Sequence, residues 1–329
     1  MALYVGGTVN FGDNVEASPE EGDIWYNDGK FCFGTSLSFG GAWSSGGNVS
    51  TPRMLLAGAG TQSAGLCMGG DDLHQLLEKD TEEYNGTSWS AGGDLAYARS
   101  GLAGCGTQSA GLCMGEDSYS NNGITEEYDG TSWTSGGNLG SSRAYLAGCG
   151  TQTAGLCMGG GDWMEDPTNV TEEYDGTSWS TGGNIGTATI YLGGCGTQSA
   201  GLCMGGRDMV DFTAVTQEYD GSAWSSGGSL ITAREGVAGA GTQSAGLCMG
   251  GLGSAVPGFI GNLVEEYNGT SWSSLDNLVT ARFLCTGAGT QSAGLCISGV
   301  DNTFTPTNST EEYSALSSHE ELFTASSGV

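Results

Sequence analysis

The sequence predicts an all-β protein, a six-bladed β-propeller built from four-stranded blades. The phrase GTQSAGLCMGG begins at Gly60 and returns with small changes five more times, at intervals of 44 to 48 residues. A second phrase, EEY(N/D)GTSW, recurs with the same period. Repeats of about 45 residues that consist of short strands are typical of propeller blades. The copies of the first phrase begin at Gly60, Gly106, Gly150, Gly196, Gly241 and Gly289.

Each repeat divides into four segments of strand length. In the second copy, LAGCGT and AGLCMG flank a TQS turn, and TEEYDG precedes SWTSGGNL. Turn residues bound every segment, and the Asn-Gly or Asp-Gly pair before the Trp is a strong hairpin signal. Helical periodicity appears nowhere over a useful length. We therefore expect four antiparallel strands per repeat.

The second strand of each repeat is expected to lie between adjacent blades. Both of its faces must then be small or apolar, with Ala64, Leu66 and Met68 on one side and Gly65 and Cys67 on the other. Every blade junction has the same geometry, so the same residues serve in every copy.

The fourth strand, marked by a Trp, indicates how the ring closes. The sixth repeat ends after EEYSAL without a Trp, whereas an unattached Trp strand, AWSSGGNV, stands before the first repeat. We expect this N-terminal strand to complete the last blade, which removes an open sheet edge. The Trp positions are Trp43, Trp89, Trp133, Trp179, Trp224 and Trp272.

An Arg stands seven residues before the first Gly of GTQ in five copies, and Thr189 takes its place in the other. Each Arg is expected to pair with a Glu of an EEY phrase near a blade junction, because a buried charge is tolerated when it is paired and hydrogen-bonded. These structural positions are Arg53, Arg99, Arg143, Arg234 and Arg282.

The chain has eleven cysteines, six of them at one repeat position. One interpretation makes them small buried hydrophobes that carry thiols. The other is a hairpin disulfide such as Cys105 to Cys113. The sequence leaves both open.

The order of these elements resembles the kelch repeat: a glycine pair after the second strand, a Tyr in the third, a Trp in the fourth and an Arg before the next first strand. The resemblance covers residues 42–314. It implies a kelch-like propeller domain.

The segment before the repeats contains PEEGDIWYNDGKFCF, which predicts a hairpin with an Asn-Asp-Gly turn. It resembles GD-x-W-Y segments of bacteriophage fibre and other virion proteins, and the glycine-rich repeats resemble those of phage structural proteins. The resemblance implies that residues 1–41 anchor the chain to other virion proteins, that residues 42–314 are displayed, and that residues 315–329 form a tail. It also implies a homo-oligomer in a particle whose proteins are made in the host cytoplasm.

The stretches between the glycine pair and EEY differ from copy to copy. They connect the second and third strands, so they lie on one face, and binding residues concentrate on such loops over a rigid scaffold. Their aromatic residues suit sugar rings or a protein partner; the alternative is that they cap the blade ends. They are Tyr119, Trp163, Phe212, Phe259 and Phe304.

The net charge of −29, with eight Lys and Arg, argues against a nucleic-acid partner. No signal peptide or apolar membrane span is visible, so no membrane insertion is expected. Acidic loop residues are weak calcium candidates, since no complete EF-hand-type loop is present, and we predict no metal or cofactor. These candidates are Asp71, Asp72, Asp162 and Asp166.

Catalysis has little support in the sequence. It lacks the common nucleophile and metal motifs and has two histidines, and its paired glutamates recur like scaffold. We therefore expect a non-enzymatic structural or binding protein of a virus particle, a tail-fibre, receptor-binding or decoration protein that binds a host-surface receptor or glycan. The alternatives are a cellular kelch-like interaction module and, ranked lower, a polysaccharide-acting enzyme.

Overall fold

A computed structural model describes residues 24–27, 30–33, 41–72, 74, 76–116, 123–162, 164, 166–253 and 259–315, with the backbone alone at 24–27, 30–33 and 259. The described part contains no helix and confirms the all-β prediction. Residues Gly41–Ser314 form one compact unit. In it, six four-stranded antiparallel sheets follow one another in chain order, as predicted for a six-bladed propeller.

Each blade runs from the innermost strand outward. The innermost strand of every blade lies against the innermost strands of both neighbours, so the ring is closed around an axis. The innermost strands are Ala57–Thr61, Ala103–Thr107, Ala147–Thr151, Gly193–Thr197, Ala238–Thr242 and Thr286–Thr290. The second strands are Ala64–Met68, Ala110–Met114, Ala154–Met158, Ala200–Met204, Ala245–Met249 and Ala293–Ile297.

The third and fourth strands complete the blades. The third strands are Thr81–Tyr84, Thr125–Tyr128, Thr171–Tyr174, Thr216–Tyr219, Val264–Tyr267 and Thr310–Ser314. The outermost strands are Trp89–Ala91, Trp133–Ser135, Trp179–Thr181, Trp224–Ser226, Trp272–Leu275 and Ala42–Ser45. We number the blades 1 to 6 in the order of their innermost strands.

Blade 6 is closed as the sequence predicts. The N-terminal strand Ala42–Ser45 pairs antiparallel with Thr310–Ser314, and Trp43 lies opposite Tyr313. In blades 1 to 5 the fourth strand follows its blade in the chain, but here it comes from the other end of the propeller. The two ends of the propeller are therefore hydrogen-bonded within one sheet.

Short strands add to the ends of two blades. Beside blade 5, Arg234–Glu235, Leu252–Gly253 and Phe259–Ile260 form a small antiparallel sheet. Beside blade 6, Arg282–Phe283 pairs with Val300–Asp301. Outside the propeller, Ile24–Asn27 and Lys30–Phe33 form the predicted N-terminal hairpin.

The repeated phrase packs the blade junctions. Leu66 and Met68 of blade 1 lie in one buried cluster with Cys113 and Tyr128 of blade 2. On the other face, Cys67 packs into a cluster shared with blade 6. A Cβ at Gly65 would approach the Leu295 side chain of blade 6 to 2.9 Å, so a larger residue there would force Leu295 to shift. The second strand is thus buried on both faces, which explains why its sequence is constant.

The Gln of GTQ binds each blade to the one before it. In blade 2, the Gln108 amide donates hydrogen bonds to the carbonyl oxygens of Gly65 at 3.0 Å and Tyr84 at 2.7 Å. Those carbonyls belong to the second and third strands of blade 1. The same pair of bonds recurs at all six junctions, through Gln62, Gln108, Gln152, Gln198, Gln243 and Gln291.

The Tyr and Trp of the second phrase also reach back to the preceding blade. The Tyr128 hydroxyl donates to Glu83 at 2.7 Å, and the Trp133 indole N–H donates to the Thr81 hydroxyl at 2.9 Å. The Trp at this position of each of the six blades makes an indole hydrogen bond to the preceding blade. In the one junction where Val264 replaces the Thr, Trp43 donates instead to the Asp276 carbonyl.

The repeat arginines are buried in ion pairs within their own blades. Arg99 donates to Glu126 at 3.0 Å and to the carbonyls of Gly115 and Ile124, so most of its donors are satisfied. Arg53 and Arg282 repeat this arrangement, whereas Arg143 donates to its Glu and to the Cys157 sulfur, and Arg234 donates to its Glu and to the Cys248 carbonyl. The five pairs are Arg53–Glu82, Arg99–Glu126, Arg143–Glu172, Arg234–Glu265 and Arg282–Glu311.

The ten cysteines of the propeller are all buried thiols. Of the two interpretations of the cysteines, buried thiols are confirmed for the propeller, and the alternative of a Cys105–Cys113 disulfide is excluded, because the register places Cys113 opposite Gly104, so the neighbouring Cys105 faces the other side of the sheet. Cys105 packs beside Cys157 of blade 3, whereas Cys113 packs beside Tyr128. Cys32 is described only in its backbone.

Candidate functional site

The propeller has two chemically different faces. The turns between first and second strands and between third and fourth strands lie at one end of every blade. The loops between second and third strands and the connections to the next blade lie at the other end, which we call the loop face. Among the described residues, every large apolar side chain that is exposed lies on the loop face. These are Leu76, Leu77, Tyr97, Met164, Met209, Val210, Ile231, Val279 and Phe304, each at least 41% exposed.

The opposite face is polar and repetitive. In blade 3 its turns consist of Thr151 to Thr153 and Asp175 to Ser178, and the Asp175 carboxylate accepts hydrogen bonds from the N–H groups of Thr177 and Ser178. These bonds lower the pKa of Asp175. The same turn recurs in other blades with Asn or Asp. This face therefore differs little between blades, while the loop face differs at each.

Four of the variable loops share a feature that the sequence comparison missed. An Asp accepts hydrogen bonds from backbone N–H groups two to four residues later, as in Asp208, which caps Val210 and Asp211. These bonds lower the pKa of Asp208. The loops capped by Asp208 and Asp301, all of whose residues are described, are thus held in defined conformations while their side chains vary. The capping residues are Asp72, Asp162, Asp208 and Asp301.

Two of the predicted calcium candidates, Asp72 and Asp162, therefore serve as loop caps, and Asp71 is buried. Asp166 donates its own backbone N–H to the Asp162 cap. Within the described residues, no group of three or more His, Cys, Asp or Glu side chains is placed to hold a metal ion.

Of the predicted aromatic binding residues, the structure places two. Phe304 is 60% exposed at the tip of the blade 6 loop, edge-on to Phe283 at 6.2 Å between ring centroids. Phe212 is half-buried and its N–H is held by its neighbour Asp211. Tyr119, Trp163 and the side chain of Phe259 lie outside the described residues.

At the centre of the loop face, a closed ring of hydrogen bonds surrounds the axis. One residue from each blade donates its backbone N–H to the carbonyl of the corresponding residue in the preceding blade, at 2.8 to 3.1 Å. All six residues have the left-handed conformation, including four that are not glycine, with φ between 52° and 57°. Such strain persists where the surroundings impose it. The ring consists of Leu55, Gly101, Tyr145, Tyr191, Gly236 and Leu284.

The side chains of this ring form an aromatic mouth. The rings of Tyr145 and Tyr191 stack with their centroids 4.4 Å apart. The Arg207 guanidinium lies 5.7 Å from the centroid of Tyr191, within cation–π range, and its Nε is 3.2 Å from Glu235 Oε2. Gly101 leaves room for the Tyr145 ring, which lies 3.1 Å from the place a Cβ would occupy.

Sequence reasoning missed this mouth. The ring position lies two residues after the repeat Arg, or after Thr189 in the fourth copy, and reads Leu, Gly, Tyr, Tyr, Gly and Leu, but the residue before it also differs in every copy, so the position does not stand out in the sequence. The ring itself could not be inferred, because it depends on the six blades closing around one axis.

The cavity at the mouth measures about 70 Å³ and is bordered by the ring residues and the residues that follow them. Pockets that enclose small molecules usually measure roughly 300–1,000 Å³. A ligand larger than a few water molecules must therefore bind across the surface of the loop face, with the cavity taking at most a small group.

The positive charges of the propeller are mostly hidden. Of the eight Lys and Arg in the chain, Lys30 lies outside the propeller and five arginines are buried in the blade ion pairs. The two that remain are Lys79, which pairs with Asp94 at 3.0 Å, and Arg207 at the mouth. Acidic side chains therefore dominate the loop face.

No protein-family model matches this chain, and no curated protein matches its sequence. Within the described part, no helix has the length and hydropathy needed to cross a membrane.

Proposed function

We propose that this chain is a non-enzymatic binding protein whose ligand docks across the loop face. The observation that carries the proposal is the one-sided distribution of the exposed apolar side chains, which reach 70% exposure at Met209 and 90% at Val210. Exposed apolar surface that is concentrated on one side of a soluble protein is typical of an interaction site. A rigid scaffold with variable loops supports the same conclusion.

The loop caps favour binding further. Because Asp208 and Asp301 fix the tips of their loops through backbone hydrogen bonds, these tips lose little conformational entropy when a ligand docks. The tip side chains then supply apolar contact area, and the differences between blades supply specificity.

The charge of the loop face narrows the class of ligand. Acidic groups repel a polyanion, and the net charge of −29 extends that repulsion over about a Debye length, roughly 8 Å at physiological salt. We therefore favour a neutral glycan or a protein surface with basic groups over an acidic polysaccharide.

We place this activity on a virus particle. The support is the resemblance of the repeats and of the N-terminal hairpin segment to phage structural proteins. In this proposal, residues 1–41 attach the chain to other virion proteins, copies of the chain assemble symmetrically, and the propeller presents its loop face to a receptor or glycan on the host surface.

The experiment compares three proteins: the full chain, residues 41–329, and the full chain with Met209→Ser and Val210→Ser. Each is tested for capture of purified virion proteins and for binding to host-cell surface and to a panel of neutral and acidic glycans. We expect the truncated chain to lose the virion partner alone. We expect the tip variant to bind the host surface at least about fivefold more weakly, the change that corresponds to about 1 kcal/mol.

A matched control carries two substitutions on the opposite, polar face. Thr131→Ala and Thr177→Ala alter exposed residues of the polar turns, and binding should not change. Equal losses from both faces would contradict a loop-face site, and binding of the truncated chain to virion proteins would contradict the anchoring role of residues 1–41.

A further inference from the structure

Blade 6 departs from the other blades just before its innermost strand. Five blades have Leu or Val at this position, and blade 6 has Cys285. In blade 1 the corresponding Leu56 packs in one cluster with the repeat cysteine Cys67. The corresponding contact in blade 6 therefore joins two cysteines, Cys285 and Cys296. The residues of the other blades are Leu56, Leu102, Leu146, Leu192 and Val237.

The two thiols are in contact. Cys285 and Cys296 belong to one buried cluster, and their thiols lie close enough to perturb one another's ionisation. Cys296 lies opposite Gly287, and Cys285 stands two residues before Gly287, directly ahead of the strand Thr286–Thr290, so the two cysteines are diagonal neighbours within one buried cluster. This distinguishes the pair from Cys105 and Cys113, which face opposite sides.

The surroundings give the two sulfurs different chemistry. The interaction with the Cys296 thiol and the positive charge of Arg282 lower the pKa of Cys285, although burial and Glu311 act in the opposite direction. The same interaction and burial raise the pKa of Cys296 well above its ordinary value. Since the thiolate is the nucleophile, Cys285 is the thiol that reacts first.

Cys285 is also the more accessible sulfur. It borders the cavity at the mouth and is 8% exposed, whereas Cys296 is completely buried. A cavity of about 70 Å³ exceeds the roughly 10–15 Å³ that one water molecule needs. Hydrogen peroxide fits this space, but a peptide disulfide such as oxidised glutathione does not.

We propose that Cys285 and Cys296 form a peroxide-reactive dithiol. The Cys285 thiolate attacks one oxygen of hydrogen peroxide, an S–O bond forms as the O–O bond breaks, and the departing hydroxide takes a proton and leaves as water. The Cys296 sulfur then attacks the sulfenic sulfur of Cys285, and its proton leaves with the hydroxyl group as a second water. Two thiols are oxidised to one disulfide, and one peroxide is reduced to two waters.

The disulfide has a structural consequence. It joins the residue before the innermost strand to the second strand in blade 6, the blade that also binds the two ends of the propeller together. A cross-link restricts the unfolded chain, so the oxidised protein should melt at a higher temperature than the reduced protein.

The test treats the reduced full chain with hydrogen peroxide, blocks the remaining thiols with iodoacetamide under denaturing conditions, and maps the peptides by mass spectrometry. We expect a linked pair of peptides carrying Cys285 and Cys296, lighter by two hydrogens, while the other propeller cysteines carry the alkyl group. Oxidised glutathione at the same concentration should form the link at least about tenfold more slowly, because access controls thiol exchange.

Two variants control the assignment. Cys285→Leu introduces the residue that blade 1 has at this position, Leu56, and should abolish the disulfide. Cys67→Ala removes the cysteine of blade 1 that corresponds to Cys296 and should leave the disulfide unchanged. Mapping of the unaltered chain decides the matter even if a variant fails to fold. Oxidation spread evenly over the thiols, or a link between any other pair at an equal rate, would overturn the proposal.

Discussion

Arg143 and Glu172 form a buried ion pair in blade 3, at 2.9 Å, and Thr189 and Gln217 occupy the two corresponding positions in blade 4. The blade that lacks the Arg therefore also lacks the Glu. Gln217 still accepts a hydrogen bond from the Gly186 N–H, as Glu172 does from Gly140. The two residues of the pair have been replaced together by neutral ones.

This relationship predicts a strong coupling between the two positions. Arg143→Thr alone leaves Glu172 as an unpaired buried charge and should destabilise the protein by about 3–5 kcal/mol. Adding Glu172→Gln removes that charge and should recover part of the loss, because the double variant reproduces blade 4. Chemical denaturation of both single variants and the double variant measures the coupling. A double variant whose loss equals the sum of the single losses would show that the positions act independently.

Ser298 is predicted to be a destabilising residue. It stands where the other blades have Gly, it has a φ of 54°, and its buried hydroxyl has no hydrogen-bond partner among the described residues. Ser298→Gly should stabilise the protein by about 1–2 kcal/mol, because it relieves left-handed strain and an unsatisfied hydroxyl.

The reverse change in blade 5 is the control for Ser298. Gly250→Ser should destabilise, since its Cβ would lie 2.5 Å from the Arg282 carbonyl oxygen. Thermal melting compares both variants with the parent protein. A stabilising Gly250→Ser, or a destabilising Ser298→Gly, would refute the argument.

Alkaline pH should unfold the protein through its buried tyrosines. Burial, followed by the hydrogen bond to Glu83, raises the pKa of Tyr128 to about 12, against about 10 in an unfolded chain. Below pH 10 both states keep the proton, so stability is unaffected. Between about pH 10 and 12 the unfolded state releases its proton first, and the free energy of unfolding falls. Tyr84, Tyr174 and Tyr219 have the same raised value.

Denaturation curves at a series of pH values test this prediction. Tyr128→Phe removes one titrating hydroxyl and should make the fall in stability above pH 10 shallower. It should also cost about 1 kcal/mol at neutral pH through the lost hydrogen bond. The prediction fails if parent and variant lose stability with the same slope.

The N-terminal strand is predicted to be essential to the propeller, and the residues before it dispensable. Residues 41–329 keep all four strands of every blade and should unfold in one cooperative transition. Residues 47–329 lack Ala42–Ser45, including Trp43, and expose the edge of Thr310–Ser314. Loss of a buried Trp alone costs about 3–5 kcal/mol, so this chain should melt roughly 10 °C lower and aggregate. Similar melting of both truncated chains would contradict the closure role.

The repeats determined most of the fold. The period, the turn residues and the orphan Trp strand before Arg53 were sufficient to predict six blades and their closure, because each is a local signal repeated in register. The pairing of Arg with Glu also followed from the need to neutralise a buried charge. The binding residues were harder to predict from the loop-face aromatics, since the stretches that carry these aromatics differ from copy to copy.

The sequence by itself determined what each blade is: its strands, its turns and the constant residues that every junction needs. Only the tertiary structure decided what the blades form together. Four features depend on which residues of separate strands meet. They are the stacking of Tyr145 on Tyr191, the burial of the arginine charges, the opposite orientations of Cys105 and Cys113, and the contact of Cys285 with Cys296. Closure of six similar units around one axis brings positions together that lie dozens of residues apart, and no local pattern records those distances.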